Sequence, residues 1–415
     1  MRIDAGPIDV PVDRERLQHL PGQPPADRRL VCLDTETTGL STGTGTVAWV
    51  VGVGAWEGRT LTVTQLLLPD HPDEGALLQV LTEEIGDAPV LVTYNGRSFD
   101  WPLLVARYRA HGRPAPVLAG HLDLLPVVRR LFRHRLGGAR LRRVEEALLA
   151  VTRHDDVEGW EIPSLYLDFL RGGPATPLAR VATHNAEDVR SLGRLLAHID
   201  TTLADPGARP TADPGDLASL AEMLRAAGRH HEALACLEHA LLALREREEG
   251  MRAPGVDATP PQAILRTGRP DPIAPWWSPR SRPDVGGMPR PHPPGLGRVP
   301  DRHGPVDLVT VLAARARMLR RLGRHAEAAA SWEEVAAMAG TTGVTAWIEV
   351  AKIREHVERD AAGALAATDR AIAILSRRRA AGRPDHVAEG HVARRRARLA
   401  RRVARARTTG RTGHG

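Results

Sequence analysis

Four carboxylates in three local motifs are the residues of this 415-residue chain best suited to chemistry. Asp34 and Glu36 lie in Val31-Cys32-Leu33-Asp34-Thr35-Glu36-Thr37-Thr38-Gly39. Asp100 closes Thr93-Tyr94-Asn95-Gly96-Arg97-Ser98-Phe99-Asp100, and Asp188 ends His184-Asn185-Ala186-Glu187-Asp188. Carboxylates gathered from strand ends and a helix can hold two divalent cations. Such a pair clamps the attacking and leaving oxygens of a phosphodiester during in-line hydrolysis. Asp34 and Glu36 are two apart, so on a strand both face one side of the sheet, with Asp34 expected to bridge the ions. Thr37, Thr38 and Gly39 then turn the chain and are expected to leave backbone amides near a substrate phosphate. On a helix, His184 and Asp188 stand one turn apart and can address the same site. Mg²⁺ or Mn²⁺ suits such a set, because magnesium keeps several waters and accepts a few carboxylates plus phosphate oxygens. The plainer reading of the first motif is a polar strand end.

These residues need a sheet and a helix to bring them together. Residues 30–33, 47–56, 61–68 and 90–94 read as strands, rich in Val, Thr and Leu, the second and third joined by the turn Glu57-Gly58-Arg59. Residues 75–86, 101–111 and 178–196 have apolar positions at helical spacing. Strand, hairpin, helix, strand, helix opens an α/β domain over residues 28–200, behind an extension at 1–27. All three phenylalanines and all three tyrosines fall between Tyr94 and Phe169, which places the bulky core in this half. The Gly39–Gly54 stretch is no dinucleotide fingerprint, since it leads into a strand and opens no helix.

Three prolines, Pro206, Pro210 and Pro214, mark a linker after this domain. Beyond it, residues 221–233 and 316–328 match closely: each carries Met-Leu-Arg, then Gly-Arg-His, then Glu-Ala. A weaker third copy runs over 347–374. The pattern predicts tetratricopeptide-like helical repeats at 216–246 and 306–376, or else an alanine-rich helical bundle. Between the copies, 247–305 is dense in proline and glycine and reads as a disordered linker, with Trp276-Trp277 as its one apolar feature. The tail, 377–415, is basic. Between Arg377 and Arg411 stand thirteen arginines and two acids, leaving the rest of the chain net acidic despite its overall charge of +7. Such a tail can neutralise phosphates. Equally, it is a solvated helix end in a chain whose only lysine is Lys352.

No run of eighteen apolar residues predicts a membrane span, and the N-terminus lacks the apolar stretch of a signal peptide. Two cysteines, Cys32 and Cys236, offer no zinc spacing and fit buried thiols in a reducing cytoplasm. His154, His230, His231 and His325 show no ligand spacing either. A cytoplasmic protein is the expectation.

The motifs resemble those of the DEDD 3′→5′ exonuclease superfamily. Within it, Gly39 to Gly45, Val92 to Gly96, His121-Leu122-Asp123, Asp155-Asp156-Val157-Glu158-Gly159, Ile162-Pro163 and Tyr166 resemble the bacterial YprB-type ribonuclease H-like domain, which often precedes tetratricopeptide-like repeats. The resemblance implies a ribonuclease H-like α/β domain (mixed sheet flanked by helices) followed by an all-α repeat domain. It implies metal at Asp34, Glu36, Asp100 and Asp188, a nucleotide- or ligand-orienting role for Asn95, and a core anchor in Phe99. In this superfamily the third motif carries an aromatic or imidazole group that orients water. Here the spacing is that of the tyrosine-type subclass, yet the residue is His184; histidine, as a residue type with an unperturbed pKa near neutrality, suits a general base. Asp123 is expected to be structural or to assist the site from nearby, and Asp155-Asp156 to sit in a loop. The activity implied is two-metal 3′→5′ hydrolysis of single-stranded DNA or RNA, with a protein partner on the repeats. The rival readings are a weak or inactive nucleic-acid-binding scaffold that acts through its repeats, and a hydrolase of short oligonucleotides.

Overall fold

Strand β2 (Leu30–Thr37) begins with four consecutive buried residues, Leu30 to Leu33, the mark of a strand covered on both faces. It is the central strand of the sheet in the computed structural model, which describes residues 1–19, 27–39, 45–153, 156–252, 306–340 and 343–411. The Pro/Gly-rich segment beyond Arg252 with Trp276-Trp277, residues 40–44 of the glycine-rich sequence, His154, Asp155 and the last four residues lie outside the described residues.

In chain order the first part contains β1 (Arg2–Asp9), α1 (Arg14–Leu17), β2, β3 (Ala48–Glu57), β4 (Thr60–Leu67), α2 (Glu74–Ile85), β5 (Val90–Thr93), α3 (Asp100–Ala110), β6 (Gly120–Asp123), α4 (Leu124–Leu131), α5 (Leu141–Val144), α6 (Ile162–Leu170) and α7 (Thr176–Ile199). The six strands lie in the order β1-β4-β3-β2-β5-β6. Neighbours from β1 to β2 pair antiparallel, while β2, β5 and β6 run parallel. The carboxyl ends of those three strands therefore open on one edge, and Asp34, Asn95 and Asp123 arrive there together. The mixed sheet flanked by helices, followed by an all-helical region, agrees with the resemblance.

Alternation along β2 divides the core. Val31 and Leu33 face the layer of α2, α3 and α6, with Leu78, Leu81, Leu103, Tyr108 and Tyr166. Leu30 and Cys32 face α7, with Val189, Leu192 and Leu196. Asp34 and Glu36 continue the second series, so both carboxylates face α7. That helix comes unusually close to the sheet because glycines make room. A Cβ at Gly52 would lie 2.4 Å from Asn185 Oδ1, and one at Gly193 of α7 would lie 2.5 Å from Leu61. The glycines of this stretch thus serve helix-on-sheet packing.

Strand β1 has no clear signal in the sequence. Its Gly6-Pro7 step interrupts the alternation, and Gly6 stands at a register shift with φ +83°. An edge strand tolerates both residues.

The second part is all helical: α8 (Pro214–Ala226), α9 (His230–Arg252), α10 (Leu308–Arg321), α11 (His325–Met338), α12 (Val344–His356), α13 (Ala361–Ala380) and α14 (His386–Arg411). The matched sequence copies make matched turns. Gly228 and Gly323 have φ +79° and +76°. Arg229 N donates to Leu224 O, and Arg324 N to Leu319 O, each at 2.9 Å. Arg229–Glu232 and Arg324–Glu327 pair equivalently. Only glycine adopts this left-handed turn without cost, which is why it recurs. Among the described residues no helix is long and apolar enough to cross a membrane.

Candidate active site

Each of the three motifs is carried by a different part of the fold. Asp34 and Glu36 come from β2, Asp100 is the first residue of α3 after the β5 turn, and Asp188 lies mid-way along α7. Asn185, fully buried, donates from Nδ2 to Asp34 Oδ2 at 2.9 Å, and its Oδ1 accepts from Gln65 Nε2 at 2.8 Å. This chain of amides fixes the Asp34 carboxylate. The hydroxyl of Thr35, on the other face of β2, donates to Asp100.

The electrostatics show that Asp34 and Glu36 feel the charges of the other carboxylates. Burial, and then the charges of Asp188, Glu36 and Asp100, push the pKa of Asp34 well above the ordinary value. Glu36 is raised by burial and by Asp188 and Asp100. Burial lifts Asp100 to about 6 although Thr35 opposes it. Asp188 is raised by burial against the pull of His184 and Arg153. Like charges crowded in a dry site resist ionisation. A divalent cation is the counterion such a donor set lacks, so hard oxygen ligands and local charge both fit Mg²⁺ or Mn²⁺.

His184 faces this cluster. Its Nε2 lies 3.8 Å from Glu36 Oε1 and 3.9 Å from Asp188 Oδ2, while Nδ1 lies 2.6 Å from Asp156 Oδ1. A carboxylate can only accept, so Nδ1 carries a proton; in the neutral ring the lone pair is then on Nε2, the nitrogen facing the carboxylates. Arg153 Nη1 also approaches Nδ1, but at 3.4 Å it is the weaker claim. Burial works against the Asp156 carboxylate, yet the His184 hydrogen bond prevails and holds its pKa low.

Arg153 places a buried cation against the site. Its buried guanidinium contacts Asp188 and the fully buried Glu145, with Asp156 at 3.5 Å. Burial disfavours its charge, but Asp188 and Glu145 outweigh that and raise its pKa.

The second motif is organised by Asp123. Its Oδ1 accepts from Asn95 N at 2.8 Å and from Leu125 N at 3.0 Å, and its Oδ2 from Arg97 N at 3.2 Å. It thereby caps α4 and pins the turn in which Asn95 adopts φ +70°. Asparagine accepts that conformation better than most residues. Asn95 is exposed and Phe99 partly buried. In the first motif, Thr37 Oγ1 donates to Gly39 O and Thr38 Oγ1 accepts from Val47 N. The Thr38 amide is bonded to Val47 O at 3.0 Å, so the expectation of free amides does not hold there.

Asp156, Arg153, Glu145 and Gln65 have no helical or strand periodicity relative to the motifs, and only the Asp155-Asp156 pair gave any sequence signal. A separate cluster, His134, Asp213 and Asp216, offers three ligand atoms within 4.8 Å of one another. Asp213 there caps α8, and Arg135 binds Asp216, tying α8 to the turn after α4.

The sequence model of the RNase_H superfamily matches residues 31–200. A curated protein of Bacillus subtilis (strain 168), "Uncharacterized protein YprB", is 37% identical over 183 residues. The alignment covers 44% of this chain and 44% of that relative, so less than half of either length is shared. Sheet order and the family model agree that residues 31–200 are a ribonuclease H-like superfamily domain, joined in this chain to an all-helical region.

Proposed function

We propose that the chain is a metal-dependent 3′→5′ exonuclease that hydrolyses phosphodiester bonds of single-stranded nucleic acid. The observation that carries this reading is the gathering of Asp34, Glu36, Asp100 and Asp188, four carboxylates from three elements, closely enough that the charges of Asp100 and Asp188 raise both Asp34 and Glu36. These four would hold two divalent ions. When bound, the ions supply charge stabilisation for the attacking and leaving oxygens.

The chain's own residues do the rest. Asp156 holds the imidazole of His184 so that Nε2 faces the carboxylates, and this nitrogen takes the proton of the attacking water. Asn185 and Gln65 keep Asp34 from turning away. Asn95, exposed on its strained turn, and the Thr37-Thr38-Gly39 turn contact the terminal nucleotide. The matched helical turns support repeats of tetratricopeptide type, a surface for a protein partner. A cytoplasmic setting fits the buried thiols Cys32 and Cys236.

The test is degradation of 5′-labelled single-stranded RNA and DNA with Mg²⁺, with Mn²⁺ and with chelator. The expected result is a metal-dependent ladder that shortens from the 3′ end. Internal cuts would remove the exonuclease part of the reading. Intact substrate in both metals would leave a nucleic-acid-binding scaffold as the better account.

The Asp156–His184 pair has its own signature. Asp156→Ala should lower kcat about 10- to 100-fold with KM little changed, the usual cost of losing an orienting partner. In a His184→Ala background the same substitution should cost nothing further. Additive losses in the double variant would mean that Asp156 acts elsewhere.

A further inference from the structure

The basic C-terminal segment is a docked helix, and how it docks leaves charge to spare. Helix α14 buries Val392 and Leu399 against its neighbours. It is also held by Glu355 of α12, whose side chain is fully buried. That one carboxylate takes Arg395 at 2.6 Å, Arg398 at 2.8 Å and Arg402 at 3.2 Å. A latch needs one arginine; three on one carboxylate bring cations together that repel each other.

Beside this latch, between α12 and α14, lies an open groove of about 830 Å³. Lys352, His391, Arg394, Arg395, Arg398 and Arg401 line it, and no aspartate or glutamate does. Lys352 pairs with Glu349 at 2.6 Å, outside the lining. Arg394 and Arg401 are exposed and have no carboxylate partner among the described residues. Seven residues apart, they sit on one face about 10 Å from each other along the helix.

We propose that this groove binds the phosphate backbone of a single-stranded nucleic acid, as a second contact for the strand that the nuclease domain would process. The choice of polyanion rests on the function proposed above; the groove itself does not. Guanidinium forks match phosphate oxygens in pairs, and arginines without acidic partners incur no competing ion pair when a phosphate arrives. A membrane surface fits less well. Of the larger apolar residues of α14, Val392 and Leu399 are buried in the helical region, Val403 is half-buried and Val387 stands exposed in the first turn, so the helix has no continuous apolar face to insert. The surplus of positive charge is then functional: it is neutralised only when the strand is bound.

The experiment uses the full chain carrying Asp34→Ala, so that nothing is degraded, and a fluorescent single-stranded oligonucleotide followed by anisotropy over a salt series. Arg394→Gln with Arg401→Gln should weaken binding at least tenfold at low salt. The slope of log K against log salt should become shallower by about 1.4, roughly 0.7 for each phosphate that is no longer neutralised. Arg59→Gln with Arg171→Gln removes the same charge from exposed sites elsewhere and should change neither quantity. Equal losses in both double variants would reduce the effect to net charge and overturn the groove. Unchanged binding in the first would overturn it too. So would a first variant that binds the oligonucleotide normally but loses polyglutamate, since the groove would then be built for an acidic polypeptide. Binding and cleavage are read separately. A chain that binds through the groove and cleaves nothing sinks the nuclease reading alone.

Discussion

Asp188→Asn should leave the protein folded and lower its hydrolysis of single-stranded oligonucleotide by at least about a thousandfold. The substitution keeps the shape of the side chain and an oxygen for Arg153, so the buried Arg153–Glu145 pair need not move. What it removes is one negative charge, which both Asp34 and Glu36 feel. Metal ions bound by that set are worth several kcal/mol of transition-state stabilisation, and each 1.36 kcal/mol is tenfold in rate. Asp34→Ala should lose at least as much, because Asp34 is the carboxylate closest to the centre of the mutual repulsion and is itself held by Asn185. The measurement is single-turnover cleavage over a range of Mn²⁺ concentration. Partial recovery at high Mn²⁺ would assign Asp188 chiefly to affinity, whereas a flat, near-zero rate would assign it to the chemistry. Turnover within tenfold of the unaltered protein would exclude Asp188 from the mechanism.

The carboxylates could be read from the sequence because each belongs to a short-range pattern. Asp34 and Glu36 share a strand parity, His184 and Asp188 a helical turn, and Asp100 follows an apolar strand and a glycine turn. Their neighbours could not. Asp156 and Arg153 stand in an irregular segment whose distance from His184 in sequence says nothing of the 2.6 Å contact that closes in space. Gln65 looks like any polar strand residue until its amide is seen beside Asn185 and Ala182. The role of Gly52 depends on a helix that arrives more than a hundred residues later. In α14 the charge run hides two apolar residues seven apart, Val392 and Leu399, which are enough to seat one face of a helix. Patterns within about one turn or one strand are legible; contacts made by folding back are not.

In the metal-free protein, Asp34→Asn should raise thermal stability, and by more as the pH rises. Asp34, Glu36, Asp100 and Asp188 all have folded-state pKa values above their ordinary ones, burial being the first cause in each and repulsion from the other carboxylates adding most at Asp34 and Glu36. The native state therefore holds more protons than the unfolded chain between about pH 4 and the raised values, and stability falls as pH climbs through that window. For Asp100, held near 6 against an ordinary 3.8, the loss is on the order of 3 kcal/mol. Below about pH 4 both states are protonated and the penalty vanishes. Groups with lowered pKa, such as Glu74 and Asp156, tilt the curve the other way, but they are present in both proteins and cancel in the difference. The amide introduced at position 34 still accepts from Asn185 and carries no charge, so the variant should melt several degrees higher at pH 8, at about 2–4 °C per kcal/mol, and close to the unaltered protein at pH 4. Saturating Mn²⁺ should close or reverse the gap, since an ion at a hundred times its Kd adds about 2.7 kcal/mol only where its site is intact. A variant less stable at every pH, with Mn²⁺ raising both melting curves alike, would mean that Asp34 is a structural hydrogen-bonding group and that the ions bind elsewhere.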